Sequence, residues 1–489
     1  MTAHKKSGIL NRIKDVYSMS RYKKLLSNTL ILSIGTFSSK LLVYFLMPLY
    51  TAILSKEQYG TADLITNAAN FLIPFCCIGI THAVFRFSAD SEENAKTVFS
   101  SGLSVLLASS LVFLALSPAL LFIPYIDEFA WLLVVYVICS NFHTLCAEYI
   151  RAKGHTTLFA IQGIVGTALT IGFNLLFLIP MDMGVTGYVL SVAAADAVGT
   201  VFLILVAKLY RDFSFKLVSA KKIKEMLKYS LPMMPTTIIW WITNVSDRFV
   251  VTYIKGSAEN GLYSAAYKIP TLITLVATVF IEAWQFSAIS DSKDGEDRKR
   301  FFGEVFERYQ AIIFFGCSFL VPLSQIATRA LLADSYFEAW RFIPVLLVAT
   351  VFSSLTTFMG TIYTVSKKTV MSMITALFGA VLNIILNILM IPSLGAQGAG
   401  IATIISYFTV FALRAISSKK YMPFRLGVPK LVLNTLIVII QTVFMVCELP
   451  YNVFVQILLI LLVAAINARS IFTALLGILK NFRKISKNT

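Results

Sequence analysis

Residues 246–273 read SDRFVVTYIKGSAENGLYSAAYKIPTLI and join two stretches that are otherwise apolar. Arg248 and Lys268 lie inside these stretches, and two further cations, Lys40 and Arg86, are placed in the same way nearer the N-terminus. A charge at the centre of a bilayer costs about 2.5–3.5 kcal/mol on insertion scales. We therefore expect the four cations to face a polar interior rather than lipid.

The composition is that of a membrane protein. Of the 489 residues, 57% are hydrophobic and 14% are charged, and the mean hydropathy is +0.78. Spans of roughly 20 residues would use this apolar fraction in about fourteen helices. The expected fold class is an all-α polytopic membrane protein, since an outer-membrane barrel would show short alternating strands instead. The predicted transmembrane spans are 26–50, 62–88, 97–123, 129–150, 157–180, 185–207, 230–253, 261–286, 309–327, 339–363, 370–391, 396–416, 431–447 and 453–475.

The net charge of +17 is explained by membrane topology rather than by nucleic-acid binding. With the N-terminus placed in the cytoplasm, 32 of the 42 Lys and Arg residues fall in cytoplasmic segments. The outside loops carry only Lys56, Lys255 and Arg329. This positive-inside bias predicts an even number of spans with both termini cytoplasmic. The basic N-terminal residues are predicted to form a cytoplasmic tail, because they lack the apolar core and cleavage site of a signal peptide.

Two blocks of the chain share a pattern. Thr156 and Asn174 are 18 positions apart, as are Thr369 and Asn387, and each pair opens and closes an apolar helix. Each helix is followed by proline and a Gly-x-x-Gly sequence. The pattern indicates a duplication in one orientation, because six spans return the chain to the same side of the membrane.

The block starts are also similar: LSKEQYG at 54–60 resembles IKGSAENG at 254–261. Parallel repeats imply two six-helix lobes related by a pseudo-two-fold axis along the membrane normal. Two C-terminal helices follow the second lobe. The predicted domains are a basic tail (1–24), an N-lobe with spans 1–6 (25–208), a cytoplasmic linker (209–228), a C-lobe with spans 7–12 (229–416), spans 13 and 14 (417–475) and a basic tail (476–489).

Motifs for enzyme chemistry are missing from the sequence. It contains no GxxxxGK[ST] phosphate loop, no HExxH and no CxxC spacing among its six cysteines. The extramembrane segments are too short for a catalytic domain. We therefore expect no enzymatic activity, no catalytic residues, no metal site and no cofactor, and leave coupling to H⁺ or Na⁺ open.

The polar residues inside the spans are the candidate site. Arginine binds phosphate bidentately and lysine acts as a point charge, so a cationic interior suits an anionic ligand. Amide and aromatic side chains suit sugar rings. The predicted substrate-binding residues are Lys40, Arg86, Arg248, Lys268, Asn244, Gln285 and Trp284. Three acids are predicted as counter-charges or ion-coupling sites, namely Asp196, Asp247 and Glu282.

Several segments, taken in order, resemble the polysaccharide-transport family, the Wzx-type lipid-linked oligosaccharide flippases. This family belongs to the multidrug/oligosaccharidyl-lipid/polysaccharide (MOP) exporter superfamily. The resemblance covers about residues 20–475. The segments that carry it are GTFSSKLLVYFLMPLYTAILSKEQYGTADLI (35–65), AVFRF (83–87), RAKGHT (151–156), SDRFVVTYIKGSAENGLYSAAYKIPTLI (246–273), AWQF (283–286) and GAQGAGIATIISY (395–407).

The resemblance implies a flippase that moves undecaprenyl-diphosphate-linked oligosaccharide, a repeat unit of a surface polysaccharide, from the inner to the outer leaflet. It implies alternating access of two lobes around a cationic central cavity, in a bacterial cytoplasmic (inner) membrane. The implied partners are the lipid-linked oligosaccharide, membrane lipids, and a polymerase and glycosyltransferases, with no nucleic acid. A drug/cation antiporter or lipid II-type flippase of the same fold stays open. So does a membrane-embedded polymerase or glycosyltransferase, and also a non-transporting scaffold.

Overall fold

The computed structural model describes residues 46–89, 92–290, 296–366 and 368–486, and within these residues it contains helices and no β-strand. In lipid, a helix satisfies its own backbone hydrogen bonds, which is why long apolar runs fold this way. The all-α class is confirmed. The helices are α1 Met47–Ile53, α2 Lys56–Cys76, α3 Ile80–Ser88, α4 Glu92–Leu116, α5 Ala130–Ala152, α6 Thr156–Leu178, α7 Gly184–Val206, α8 Ala220–Ser230, α9 Met234–Lys255, α10 Ser257–Ala266, α11 Lys268–Ser290, α12 Glu296–Leu320, α13 Ser324–Leu331, α14 Ile343–Val365, α15 Thr369–Leu394, α16 Ala396–Ser417, α17 Val428–Val446 and α18 Asn452–Ser486.

The number of membrane spans is lower in the described part of the chain than the fourteen predicted. Nine helical segments there are long and apolar enough to cross a bilayer, or up to 11 if each of two bent helix pairs is one span. The bent pairs are α2 with α3, at 57°, and α12 with α13, at 72°. The predicted span 26–50 falls almost entirely outside the described residues, so the count of fourteen stays a prediction.

The outer faces of several spans are apolar and uncovered by protein. Only 17% of the most apolar stretch of α6 is buried, whereas 83% of the corresponding stretch of α14 is buried. Ile161, Ile164 and Leu176 of α6 are all exposed. Exposed apolar patches of this extent mark a surface that meets lipid or another protein. The contrast therefore assigns α14 to the protein interior and leaves the outer face of α6 for contact with lipid or with another protein.

The described chain packs as two compact units, which are considered separately here. The first unit contains Ala68–Met234. Its core lies between α3, α4, α5 and α8, where the rings of Phe99 and Tyr149 stack at 4.3 Å between centroids. Met226 and Leu145 are fully buried in the same cluster. The amphipathic α8 thus closes this core with its apolar face.

A charged cluster fastens the connection after α7 in the first unit. Asp212 accepts hydrogen bonds from Lys153 Nζ at 2.8 Å and from Tyr149 OH at 3.0 Å, and Lys96 Nζ lies 3.3 Å away. Burial raises the pKa of Asp212, but the Lys153 and Tyr149 hydrogen bonds and the nearby positive charge outweigh it and hold this pKa below its ordinary value. The cluster therefore binds the 207–219 connection to α4 and α5 as long as Asp212 is ionised.

The second unit contains Met47–Asn67 and Pro235–Thr489. Its centre is α14, which packs against α11, α12 and α16. Phe302, Phe306 and Phe358 are buried in the interior of this bundle, and Phe306 and Phe358 pack at 5.2 Å between ring centroids. These rings fill the helix interfaces around α14.

The two similar segments found in the sequence lie against each other in this second unit. A Cβ added to Gly60 would lie 1.9 Å from the Ser257 carbonyl oxygen, and one added to Gly261 would lie 2.0 Å from that of Lys56. The backbones of α2 and α10 therefore touch, as small residues permit in helix pairs. Asn260 Nδ2 donates to the Gly60 carbonyl at 2.9 Å and fixes the register of the contact.

The predicted helix starts of the repeat are observed. Thr156 is the first residue of α6, and Thr369 is the first residue of α15. Asn174 and Asn387 near the ends of these helices are both buried. In each case the next helix packs against the one before it, α7 against α6 and α16 against α15. The division into two six-helix lobes stays a prediction.

Candidate functional site

A buried ion pair lies beneath the contact between α2 and α10. Arg248 Nη1 on α9 donates to Asp63 Oδ1 at 2.9 Å and to Asp63 Oδ2 at 3.1 Å. Ser264 Oγ donates to the same Oδ2 at 2.8 Å, and the side chains of the pair are only 15% and 10% exposed. Asp63 and Ser264 each follow one of the touching glycines by three residues. The close approach of α2 and α10 therefore places the carboxylate where Arg248 reaches it.

The neighbouring acid, Asp247, has a different set of partners. Tyr263 OH donates to Asp247 Oδ2 at 2.7 Å, and the Arg248 backbone N–H donates to its Oδ1 at 2.9 Å. The guanidinium of Arg248 lies over the ring of Tyr267, 4.9 Å from its centroid. As expected from helical geometry, the side chains of Asp247 and Arg248 point to different partners.

Two carboxylates thus offset the cations of this cluster. Lys268 is half-buried, and it is attracted by Asp63 and repelled by Arg248. With Arg248 and Lys268 balanced by Asp63 and Asp247, the formal charges cancel. An anion binding to Arg248 here would compete with Asp63 for the guanidinium, because one face of that group is already occupied.

A cavity of about 430 Å³, lined by both polar and apolar side chains, lies within the second unit, between α9, α14, α15 and α16. Asn244 lines it, and Tyr407 OH donates to Asn244 Oδ1 at 2.8 Å. Hydroxyl groups of Ser353, Thr356 and Thr357 also line it. The volume is at the lower end of the 300–1,000 Å³ typical of small-molecule sites. Donors and acceptors of this kind suit a hydroxylated ligand.

A second cavity of about 170 Å³ shares Ser353 and Thr357 with the first and is lined by Gln285. Two of the predicted binding residues, Asn244 and Gln285, are thus found on neighbouring cavities. Trp284 is different, because it is buried with its ring stacked on Phe358 at 5.3 Å and its indole N–H donating to Thr361 Oγ1 at 3.1 Å. It is a core residue of the aromatic cluster and lines neither cavity.

Arg414 on α16 also lines the 430 Å³ cavity and is 7% exposed. Its Nη1 donates to the Thr356 carbonyl at 2.9 Å, its Nε to Thr375 Oγ1 at 3.0 Å and its Nη2 to the Ser372 carbonyl at 3.2 Å. All three acceptors are neutral. Among the described residues, Arg414 forms no salt bridge.

The remaining predicted site residues are spread over the chain. Arg86 is exposed in the last turn of α3, in the first unit. Lys40 and the side chain of Glu282 lie outside the described part of the structure. The predicted group is therefore brought together only in part, at the Arg248 cluster and the two cavities.

Asp196 on α7 belongs to the first unit and pairs with α5. Its Oδ1 lies 3.0 Å from His143 Nδ1, and its Oδ2 accepts a hydrogen bond from Ser140 Oγ. His143 Nε2 is buried without a hydrogen-bond partner in the described residues, and a Cβ at Gly199 would lie 3.0 Å from it. A carboxylate and an imidazole in contact can hold a proton between them, so the predicted ion-coupling role of Asp196 stays a prediction with a named partner.

Two residues of the site were missed by sequence reasoning. Asp63 falls at the second position of the predicted span 62–88, where an acid indicates the end of a span. The helix begins at Lys56, which places Asp63 two turns inside it. Arg414 falls at the end of the predicted span 396–416, where a cation indicates an anchor at the membrane surface. Burial, which the sequence does not show, distinguishes these two residues from such boundary charges.

A bundle of helices with long apolar outer faces is the architecture of a multi-pass membrane protein. The family model described as "Polysaccharide biosynthesis protein" matches residues 25–291, more than half of the chain. The chain belongs to this family. The family recognised from the sequence, one that serves polysaccharide biosynthesis, is thereby confirmed.

Relatives and solved structures agree with this assignment. The succinoglycan biosynthesis transport protein ExoT of Rhizobium meliloti is 22% identical over 63% of this chain and 58% of its own length. The lipid II flippase MurJ in an inward closed conformation has a TM-score of 0.70 at 16% identity, covering 91% of this chain and all of that one. An inward-facing MATE-family multidrug transporter of the MOP superfamily has a TM-score of 0.61 at 15% identity, covering 80% of this chain and 98% of that one. At these identities the structures show the shared fold.

Proposed function

We propose that the chain is a flippase for undecaprenyl-diphosphate-linked oligosaccharide, the repeat unit of a surface polysaccharide. It would act in a bacterial cytoplasmic membrane by alternating access through a cationic central cavity. The observation that carries the proposal is the hydroxyl- and amide-lined 430 Å³ cavity inside a bundle whose outer faces are apolar. Amide and hydroxyl groups on the cavity wall, among them the Asn244 amide that accepts from Tyr407, are the kind of groups that bind sugar hydroxyls. The family match supports a role in polysaccharide biosynthesis.

In this proposal Asn244 and Gln285 bind sugar hydroxyls. Lys40, Arg86, Arg248 and Lys268 are the proposed contacts of the anionic part of the substrate, and an anion that binds Arg248 would replace Asp63 on its guanidinium. Trp284 supports the wall from behind, because its ring is buried against α14. Asp196, Asp247 and Glu282 remain the candidates for H⁺ or Na⁺ coupling. Glycosyltransferases would supply the substrate, and a polymerase would consume it.

The test is leaflet exchange of a fluorescent lipid-linked oligosaccharide by the purified chain in liposomes. We expect exchange above that of protein-free liposomes, and a reduced rate for the Asn244→Leu, Gln285→Leu double variant. Glu128→Gln, at an exposed side chain just before α5, should behave as wild type. No exchange with neutral or acidic glycans under any H⁺ or Na⁺ gradient contradicts the proposal.

The second candidate is a drug/cation antiporter, for which the MATE structure is the relevant neighbour. Its favourable observation is the pair of carboxylates at Asp63 and Asp247, since a bound organic cation needs buried negative charge. Uptake of a fluorescent cationic drug into the same liposomes, together with no glycolipid exchange, would favour this candidate over the flippase.

A further inference from the structure

We propose that Arg414 is the anion-binding residue of the 430 Å³ cavity and receives a phosphate or carboxylate group of the substrate. The proposal rests on the proposed flippase function and extends it to a residue on α16 that sequence reasoning had not selected. The anionic group that binds Arg414 can come from two parts of the substrate, the diphosphate of the lipid carrier or the acid group of a sugar.

The first argument is charge. A buried guanidinium is costly unless it is paired, and burial of an unpaired ion costs several kcal/mol in proteins. Arg248 meets this requirement with Asp63, whereas Arg414 is bound only to neutral oxygen atoms. Among the described residues that line the cavity, Arg414 carries the only charge. The negative end of α16 offsets a part of this charge, as helix C-termini do. An anionic ligand would balance the rest.

The second argument is donor geometry. A guanidinium presents five N–H groups in a fixed plane, and three hydrogen bonds to protein are observed. Two N–H groups are left for a ligand, which is the number that a phosphate or carboxylate takes from one arginine. The three protein bonds connect Arg414 to α14 and α15 and hold its plane at the cavity wall.

The third argument is the space made for this side chain. A Cβ added to Gly360 would lie 2.8 Å from Arg414 Nη1. Glycine at this position of α14 therefore allows the guanidinium to lie against the helix backbone. A side chain at position 360 would displace the Arg414 guanidinium from this place, although the arginine itself would still be present.

The fourth argument is position along the span. Arg414 is in the last turn of α16, and two other lining residues, Thr364 and Ser372, flank the connection between α14 and α15. The predicted topology places this connection in the cytoplasm. The cavity is then at the side from which a flippase loads its substrate, and Arg414 is a loading contact.

The experiment uses the full-length chain in liposomes with a fluorescent undecaprenyl-diphosphate oligosaccharide. Loss of charge-assisted hydrogen bonds should raise KM roughly 10- to 100-fold in Arg414→Gln, with a smaller change in kcat. Arg414→Lys should recover a part of this loss, because it restores charge without the bidentate geometry. Gly360→Ala should raise KM as well. Arg341→Gln, at an exposed arginine of the same unit, is the matched control and should leave KM unchanged.

A binding experiment distinguishes the two sources of the anionic group, the lipid diphosphate and an acidic sugar. It also distinguishes failure of the Arg414 proposal from failure of the flippase proposal. Inorganic pyrophosphate and glucuronate are each tested for a rise in the unfolding temperature of the wild-type chain in detergent. A rise with pyrophosphate assigns the diphosphate to Arg414, and a rise with glucuronate assigns an acidic sugar, provided that Arg414→Gln abolishes it. Arg414-dependent binding without glycolipid exchange by the wild-type chain would refute the flippase and leave the anion site standing. An unchanged KM in a folded Arg414→Gln variant, or no binding of either anion, overturns the Arg414 proposal.

Discussion

Arg248, which is half-buried, and Arg414, which is buried, both belong to the second unit, and their surroundings differ in one respect. Arg248 is held by the carboxylate of Asp63, while Arg414 is held by two backbone carbonyls and a threonine hydroxyl. Both side chains are well ordered by hydrogen bonds, but only one has its charge matched within the described structure. The difference teaches that a buried cation in a membrane protein is not by itself a binding site. The counter-charge decides whether it is available to a ligand.

The largest expected effect is that of Arg248→Leu. It leaves Asp63 buried without its ion-pair partner, and breaking a buried ion pair in this way costs about 3–5 kcal/mol. Removing both partners in the Arg248→Leu, Asp63→Leu double variant should restore most of this loss. Unfolding of the purified chain in detergent measures both. Equal stabilities of the single and double variants would show that the pair is not coupled.

The glycine contact that places Asp63 is the next test. Gly261→Ala forces α2 and α10 apart, because the new Cβ would overlap the Lys56 carbonyl oxygen at 2.0 Å. Overpacking of this kind costs about 1–3 kcal/mol. Gly163→Ala is the matched control, since nothing lies within 4 Å of a Cβ at that position. If both variants unfold at the same temperature, the backbone contact does not determine the position of Asp63.

Arg414→Gln should cost less stability than Arg248→Leu, since it leaves no charge behind. The acceptors that lose a partner are neutral, and we expect a loss of about 1–2 kcal/mol. Arg341→Gln should change the unfolding free energy by about 0.5 kcal/mol or less, as surface substitutions do. A loss for Arg414→Gln as large as that for Arg248→Leu would indicate that Arg414 has a structural counter-charge. The difference between the two arginines would then disappear.

The smallest effect concerns a third cluster, around Asp212, which lies outside the spans. Its lowered pKa stabilises the folded state above the pKa of an unfolded aspartate, which is about 3.9. That stabilisation is lost as the pH falls below this value through the folded pKa. Asp212→Asn should therefore be less stable near neutral pH and should show a weaker loss of stability on acidification below pH ~4. Parallel acid-unfolding curves for the variant and the wild type would contradict this.

The sequence was sufficient for the fold class because apolar runs of this length form helices in lipid. It also selected Arg248, Lys268 and Asn244 as candidate site residues by their position within such runs, and their binding roles stay predictions. The partner of Arg248 could not be found in this way, since Asp63 is 185 positions away and only the packing of α2 on α10 joins them. The similar segments at 54–60 and 254–261 were recognised as a repeat. The contact between these two segments was not predicted, because a sequence repeat shows which residues correspond and does not show which residues are in contact.

Arg414 shows the other limit. Near the end of an apolar run, a cation that reaches the membrane surface and one that is buried under a neighbouring helix have the same local sequence. The distinction depends on Gly360 and on the carbonyl groups of α14 and α15, which come from other parts of the chain. Trp284 illustrates the converse, since its aromatic ring suggested a sugar contact and is found buried in the core.

The ion pair between α2 and α9 also has a consequence for biosynthesis. Asp63 is synthesised 185 residues before Arg248, and at roughly 5–20 residues per second the interval is about 10–40 s. During this time α2 enters the membrane with a carboxylate whose partner has not yet been made. The second unit cannot be completed from its contiguous part alone, because it needs a segment that is synthesised before Ala68–Met234 of the first unit. A nascent chain that stalls before α9 would therefore hold Asp63 without its ion-pair partner.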